Sequence, residues 1–336
     1  MARKRARLPE LIQDPFQERA RVFTRAALPL LGGRFVFESN NRQLLRLVDI
    51  AYAGLPPQRV AAASADMRVR LQVTAAAQPS DHGSPPPLSM LSGAGFLGGA
   101  TPASNFVLLS PQQGAALVAV TEEMLRFPYH TRYELIELAV YSLAARTQGL
   151  ASLHAACVGQ KGRGLLLMGS SGAGKSTVAL QCLLRGMEFV SEDSVLAAPT
   201  TLVASGVPSF LHVGQDSLRW VEDARVAARI RGSTVIQRRS GARKFALDVR
   251  KGGHRLAASH RLAALIFLSD RRASGRSLLV PLSRAETRAR LIAQQPYAAS
   301  QPQWPALVRA ALRLESFELR RGEHPAQAAD VLQTLL

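Results

Sequence analysis

Cysteine is almost absent. Cys157 and Cys182 are the only two in 336 residues, and both lie in apolar segments. That count excludes a disulfide-stapled secreted scaffold, and the two thiols read as small core residues. Lysine is nearly as scarce: five of 42 basic residues, at positions 4, 161, 175, 244 and 251. Acids are also few, 24 against those 42 bases, which leaves a net charge of +18. Such an excess draws in polyanions in general. Aromatics make up 6% of the chain, and the densest basic stretch, Arg225 to Arg255, contains only Phe245 among them. A base-stacking nucleic-acid surface is therefore poorly supported, and a positive rim around a phosphate site is the simpler reading. No uncharged apolar run reaches the ~18 residues of a membrane span. The basic start, Met1 to Arg7, is followed by no apolar stretch. The expectation is a cytoplasmic protein without a secretory signal or membrane anchor.

Against these absences stands one dense motif. Gly169-Ser170-Ser171-Gly172-Ala173-Gly174-Lys175-Ser176, followed by Thr177, has the spacing G-x-x-x-x-G-K-[ST]. Glycines let successive backbone N–H groups turn inward and cradle an anion. A lysine at this place reaches β/γ-phosphates, and the following hydroxyl can ligate Mg²⁺. The flanks agree. Gly164 to Met168 reads as a buried strand, and Ser176 to Arg185 as a helix ended by Gly186, whose dipole favours a phosphate at its start. The sequence predicts a nucleoside triphosphate site with Mg²⁺.

Chemistry at such a site needs carboxylates. Within Glu188 to Val195 the apolar pair Phe189-Val190 reads as a strand ending at Glu192 and Asp193, and adjacent strand positions point to opposite faces, so the two acids should divide the work. The strand follows the loop helix directly, and a parallel neighbour would bring its end back to the loop. His154, 21 residues before Lys175, starts the predicted strand Ala155 to Val158 and is a third candidate. Gly93-Ala94-Gly95-Phe96-Leu97-Gly98 matches G-x-G-x-x-G, but Pro85-Pro86-Pro87 precedes it and no helix pattern follows. It reads as a flexible loop and not as a dinucleotide fingerprint.

Periodicity predicts a strand over Gly33 to Ser39, a helix over 41–52 capped by Asn40, and a strand over 67–73. A Pro/Ser/Gly-rich loop should span about 76–104. A hairpin is expected at 106–109 and 115–121, and helices at 132–147 and 216–231. Strands are expected at 262–268 and 277–282, and a last helix at 325–335. We divide the chain into an N-terminal α/β domain, 1–128, and a catalytic α/β domain, 129–336.

Leu153-His154-Ala155-Ala156, the run Gly162 to Ser176, Leu184-Arg185-Gly186 and Phe189-Val190-Ser191-Glu192-Asp193 together resemble the catalytic domain of HPr serine kinase/phosphorylase, related in fold to phosphoenolpyruvate carboxykinase. The resemblance covers about residues 152–196. It implies a P-loop domain with a mixed sheet, and ATP as the nucleotide. It also implies that Asp193 takes the proton of the acceptor hydroxyl, that Lys175 and the loop amides stabilise the transferring phosphoryl, that Ser176 binds Mg²⁺, and that His154 is an active-site histidine. Glu192 stands where the family has aspartate. The family's Glu-x-Arg-Gly-Leu-Gly segment has no counterpart in Gly206 to Gly214. Glu192 is thus expected to complete the metal shell, and HPr is disfavoured as substrate. Arg239, Arg243 and Lys244 are the candidates for the family's late arginine. The family also implies a homo-oligomer. The expected activity is ATP-dependent phosphorylation of a Ser or Thr hydroxyl in a protein or peptide. Still open are a small-molecule kinase, a nucleotide-dependent binding module for nucleic acid or protein, and a nucleotide-binding kinase relic.

Overall fold

The computed structural model describes residues 23–58, 66–74, 83–102, 104–273 and 277–336. It is a mixed α/β structure built on three sheets. Among the described residues no helix is long and apolar enough to cross a membrane.

The first sheet has seven strands, in the spatial order Thr24–Leu30, Gly33–Ser39, Asp66–Thr74, Ala115–Thr121, Phe106–Ser110, Phe96–Ala100, Ser89–Gly93. Alternation sets its faces. Met67, Val69 and Leu71 are buried while Arg68 and Arg70 point outward. The inner face is covered by the helix Arg42–Tyr52 and, from further along the chain, by Glu137–Thr147, whose Ala139, Val140, Leu143 and Ala144 enter the same core. The cap of the first helix is Asn41, one residue beyond the expected Asn40. Asn41 accepts from the N–H groups of Gln43 and Leu44, whereas Asn40 bonds across to Val73.

The second sheet carries the site. Its order is Glu188–Ser191, Ala156–Gln160, Arg163–Met168, Ser259–Arg272, Val203–Ser205, Val195–Ala197, Ala151–Leu153, with Glu315–Arg321 also pairing the long Ser259–Arg272 strand. Leu165, Leu166 and Leu167 are buried on both faces, as a central strand requires. Each such burial is worth about 1.5–3 kcal/mol. The helices Lys175–Leu184 and Pro325–Gln333 cover one face, and Arg284–Gln294 and Trp304–Ala311 the other. The third sheet is small, Phe210–Gly214, Arg243–Asp248 and Thr234–Gln237.

Several expectations need correction. The strand leading to the acids is not a neighbour of the loop strand. Ala156–Gln160 lies between them, antiparallel to both, so Glu188–Ser191 runs parallel to Arg163–Met168 from one place further out. Part of the expected 76–104 loop is regular. Ser89–Gly93 and Phe96–Ala100 pair as an antiparallel hairpin through Ala94 (φ 49°) and Gly95 (φ 80°), a two-residue turn whose twist suits the flanking strands. The G-x-G-x-x-G run therefore sits on a hairpin. Residues 75–82 lie outside the described ones. The helix expected at 132–147 begins as a π-helix, Thr131–Ile136, before Glu137–Thr147. The one expected at 216–231 is split into Gln215–Trp220 and Ala224–Arg231, because Asp223 caps a fresh start by accepting from Arg225 and Val226 N–H. Both cysteines are free and buried.

Candidate active site

The buried strand Arg163–Met168 ends at Gly169, and the chain turns through residues 170–174 into the helix Lys175–Leu184. Gly172 (φ 84°) and Gly174 (φ 101°) take left-handed conformations, which side chains with a Cβ resist. Gly174 is the N-cap and no side chain caps the helix, so its first N–H groups stay available to an anion. Ser170, Ser171 and Gly172 are exposed, and the loop opens to solvent. Lys175 is buried beneath it, with Nζ donating to the Gly169 carbonyl (2.7 Å) and the Ser170 carbonyl (3.2 Å). Burial pulls its ammonium below the ordinary value, helped by Lys244 and opposed by Asp193 and Glu192. Thr177 turns away, with its hydroxyl 2.9 Å from that of Ser217.

The acids follow the Glu188–Ser191 strand in a bend and part company, as expected of adjacent residues. Glu192 is buried and meets the glycine-rich loop: Ser176 Oγ donates to its Oε1 at 2.6 Å. Its Oε2 accepts from the His212 backbone N–H at 2.6 Å and lies 3.0 Å from His212 Nδ1. Burial works against its charge, but His212 and the Ser176 hydroxyl outweigh that and hold it below the ordinary carboxylate value. Asp193 Oδ2 accepts from the Tyr133 hydroxyl (2.6 Å) and Arg238 (3.2 Å), and Oδ1 lies 3.2 Å from His154 Nδ1. Burial again opposes ionisation. The Tyr133 hydrogen bond and the neighbouring His154 and Arg238 overcome it and hold Asp193 at about 2.

His154 has half its side chain open to solvent. Burial of the rest pulls it below its ordinary 6.5, with Asp193 pulling the other way. At neutral pH it therefore meets Asp193 as a neutral ring, in the tautomer that donates from Nδ1. Its backbone is clamped by the buried Gln295 amide, which accepts from the His154 N–H (2.8 Å) and donates to its carbonyl (3.0 Å).

The structure thus gathers Lys175, Ser176, Glu192, Asp193 and His154 at one end of the second sheet. Sequence reasoning missed Tyr133, Arg238, His212 and Gln295. Within the basic stretch it is Arg238 that reaches Asp193, one residue before the expected candidates. Arg239 instead pairs with Glu134 and donates to the Pro85 and Pro86 carbonyls. The region lacking the family's glutamate motif supplies His212 from its Phe210–Gly214 strand. The basic stretch is partly consumed internally: Arg250 pairs with Asp248 and also bonds the Ile50 and Ala53 carbonyls. No cluster of three or more His, Cys, Asp or Glu side chains placed to hold a metal occurs among the described residues.

A cavity of about 730 Å³ adjoins the acids, reaching from Asp193 along the Glu137–Thr147 helix and under the Ser89–Ala100 hairpin.

No protein-family model and no curated protein matches this chain. Among solved structures, a similar one is the Hpr(Ser) kinase/phosphatase from Coxiella burnetii, at 14% identity and a TM-score of 0.29, covering 55% of this chain and 94% of that one.

Proposed function

We propose that this protein is an ATP-dependent kinase that moves the γ-phosphoryl group to a hydroxyl, that of a Ser or Thr in a protein or peptide. The observation that carries the reading is the 2.6 Å bond from Ser176 to Glu192. It joins the start of the Lys175–Leu184 helix to the acid pair, so a phosphate tail gripped by the loop would end beside Asp193 and His154. The loop amides and Lys175 would neutralise the γ-phosphoryl, which needs little else from a protein beyond positioning and charge.

The oxygen donors fit Mg²⁺, a hard cation that typically takes one or two carboxylates together with substrate phosphates. Ser176 Oγ and the ionised Glu192 would hold it, and when bound it screens phosphate charge. His212 orients Glu192 from behind.

Within this reading the proton moves through a pair of residues. Asp193, held at about 2, is too weak a base to keep a proton at neutral pH. It fixes His154 by accepting from Nδ1–H and stabilises the imidazolium, as a carboxylate does beside a catalytic histidine. The acceptor hydroxyl gives its proton to His154 Nε2 as its oxygen bonds to phosphorus, and the bond from phosphorus to the ADP oxygen breaks. Arg238 and Tyr133 hold Asp193 in place.

The test is transfer from γ-labelled ATP with Mg²⁺ by the full chain, against peptide and metabolite hydroxyls. Lys175→Ala should lose transfer and weaken nucleotide binding, while Asp193→Asn should lose transfer and keep nucleotide. Failure to bind ATP, or full turnover in Asp193→Asn, would overturn the reading.

A further inference from the structure

We infer that the outer face of the first sheet holds a binding site for a small amphipathic acid, an alkyl or aryl group that ends in a carboxylate. The inference goes beyond the kinase reading and does not depend on it.

Strand alternation builds this face, opposite the one that the helices cover. Strand register aligns Arg25, Glu38, Arg70, Leu117 and Leu108 in one row across five strands. The next row runs Val36, Arg68, Ala115 and Ser110. All the charges therefore stand on the Thr24–Leu30, Gly33–Ser39 and Asp66–Thr74 strands, and the other four strands carry no charged residue. A cavity of about 670 Å³ lies over the seam between the two halves, with Arg68 and Arg70 on one side and Leu108, Leu117 and Phe96 on the other. That size is in the range that takes a small organic ligand. Leu108 is 40% and Phe96 42% exposed, so the apolar side has surface for a ligand to cover.

The cationic side has one arginine too many. Glu38 is already occupied: Oε1 pairs with Arg25 (2.8 Å) and Oε2 with Arg70 (3.1 Å). Asp66 pairs with Arg34 (3.6 Å). Arg70 also lies over the Phe23 ring, 4.9 Å from its centre. Arg68 is exposed, and its cross-strand neighbours are Val36 and Ala115, whose side chains cannot accept a hydrogen bond. Among the described residues its guanidinium has no acid or carbonyl partner. An arginine fork takes a planar carboxylate through two parallel N–H bonds, and one unpaired arginine matches one negative charge. The carboxylate would sit on Arg68, with Arg70 two positions along the same face. The apolar part would then cross Ala115 and Leu117 towards Leu108 and Phe96. Three strand spacings of about 4.8 Å separate the strand of Arg68 from that of Phe96, about 14 Å in all, so a chain should gain with each carbon up to that length. A wholly polar anion would leave the apolar half uncovered, and an uncharged apolar molecule would leave Arg68 without its counter-charge.

The experiment titrates the full chain by isothermal calorimetry with straight-chain carboxylates from butanoate to decanoate, with octan-1-ol, and with oligothymidylate. Each added CH₂ should tighten binding about two- to fourfold, the upper figure being that of a fully buried CH₂. Octan-1-ol should bind at least about tenfold more weakly than octanoate, because it lacks the charge-assisted bonds. Arg68→Ala removes an exposed side chain without a partner, so it should fold as the unaltered protein does, yet bind octanoate about tenfold or more weakly. Arg68→Lys keeps the charge without the fork and should recover only part of that loss. Leu108→Ser should flatten the dependence on chain length. The inference falls if no carboxylate binds, if octan-1-ol binds as tightly as octanoate, or if Arg68→Ala binds octanoate like the unaltered protein. Oligothymidylate binding that Arg68→Ala removes, with no carboxylate bound, would make the face a nucleic-acid platform and overturn the inference.

Discussion

Replacing Glu192 should separate the fold from the chemistry. Its carboxylate is buried and takes three contacts: Ser176 Oγ at 2.6 Å, the His212 N–H at 2.6 Å, and His212 Nδ1 at 3.0 Å. In Glu192→Ala both His212 groups lose their acceptor while buried. An orphaned buried donor costs about 1–3 kcal/mol. Ser176 is half-buried and can turn to water, so the loss should total about 2–5 kcal/mol. Glu192→Gln keeps a carbonyl oxygen for the His212 N–H and offers its amide hydrogens to Ser176 Oγ, which accepts. Its loss should stay within about 1.5 kcal/mol. Both variants remove the negative charge facing the loop, so phosphoryl transfer at limiting Mg²⁺ should fall about a hundredfold or more in each. Urea unfolding followed by circular dichroism gives the first pair of numbers, and transfer rates across a Mg²⁺ titration give the second. Wild-type stability in Glu192→Ala would show that the buried bonds do not matter. A wild-type rate in Glu192→Gln at limiting Mg²⁺ would refute the metal-facing role.

The pH dependence should follow His154, whose value lies below 6.5. Transfer needs the neutral ring, so the rate of the unaltered protein should drop as pH falls through that lowered value, and His154→Gln should be slow with no such acid limb in its pH–rate profile. Asp193 is held at about 2 against an ordinary 3.8, a depressed value, so its stabilisation is complete above about 3.8 and disappears as pH falls through 2. At about 1.4 kcal/mol per pH unit this amounts to ~2 kcal/mol. The stability gap between wild type and Asp193→Asn, measured by urea unfolding, should be of that size at pH 7 and narrow below pH 4; a constant gap would contradict it. Gly174→Ala meets no atom within 4 Å but must hold φ at 101°, so it should cost about 1–3 kcal/mol of backbone strain by the same unfolding assay and weaken nucleotide binding.

What the sequence revealed of the site was its contiguous part. The glycine-rich run, the strand before it and the helix after it are local patterns, and the strand ends nearest to them, together with the family resemblance, drew attention to Glu192, Asp193 and His154. The remaining residues come from distant segments. Tyr133 lies on a π-helix that periodicity read as ordinary helix, and nothing local marks one tyrosine as a partner for an acid 60 positions later. Arg238 was hidden among many arginines, since composition cannot tell which of them turns inward. The strand order was misjudged because a parallel crossover and an antiparallel insertion leave the same apolar pattern; only pairing distinguishes them. The Ser89–Ala100 hairpin was obscured by its glycines and by the prolines that flank it, which mark turns without saying whether strands lie between them.

The inserted Ala156–Gln160 strand has a consequence for how the site keeps its dimensions. With Arg163–Met168 it forms one hairpin, closed by the tight corner at Lys161 (φ 50°) and Gly162 (φ 81°). His154 and Gly169 each lie two positions past the last matched couple, Ala156 and Leu167, so the histidine and the start of the glycine-rich loop are the two tips of a single fork. The prongs' separation is dictated by a bend at the handle, far from any reacting atom. One residue added at that handle would slide the tips past each other by a strand step of about 3.4 Å and roll one set of side chains over, silencing the site while leaving every residue in it intact.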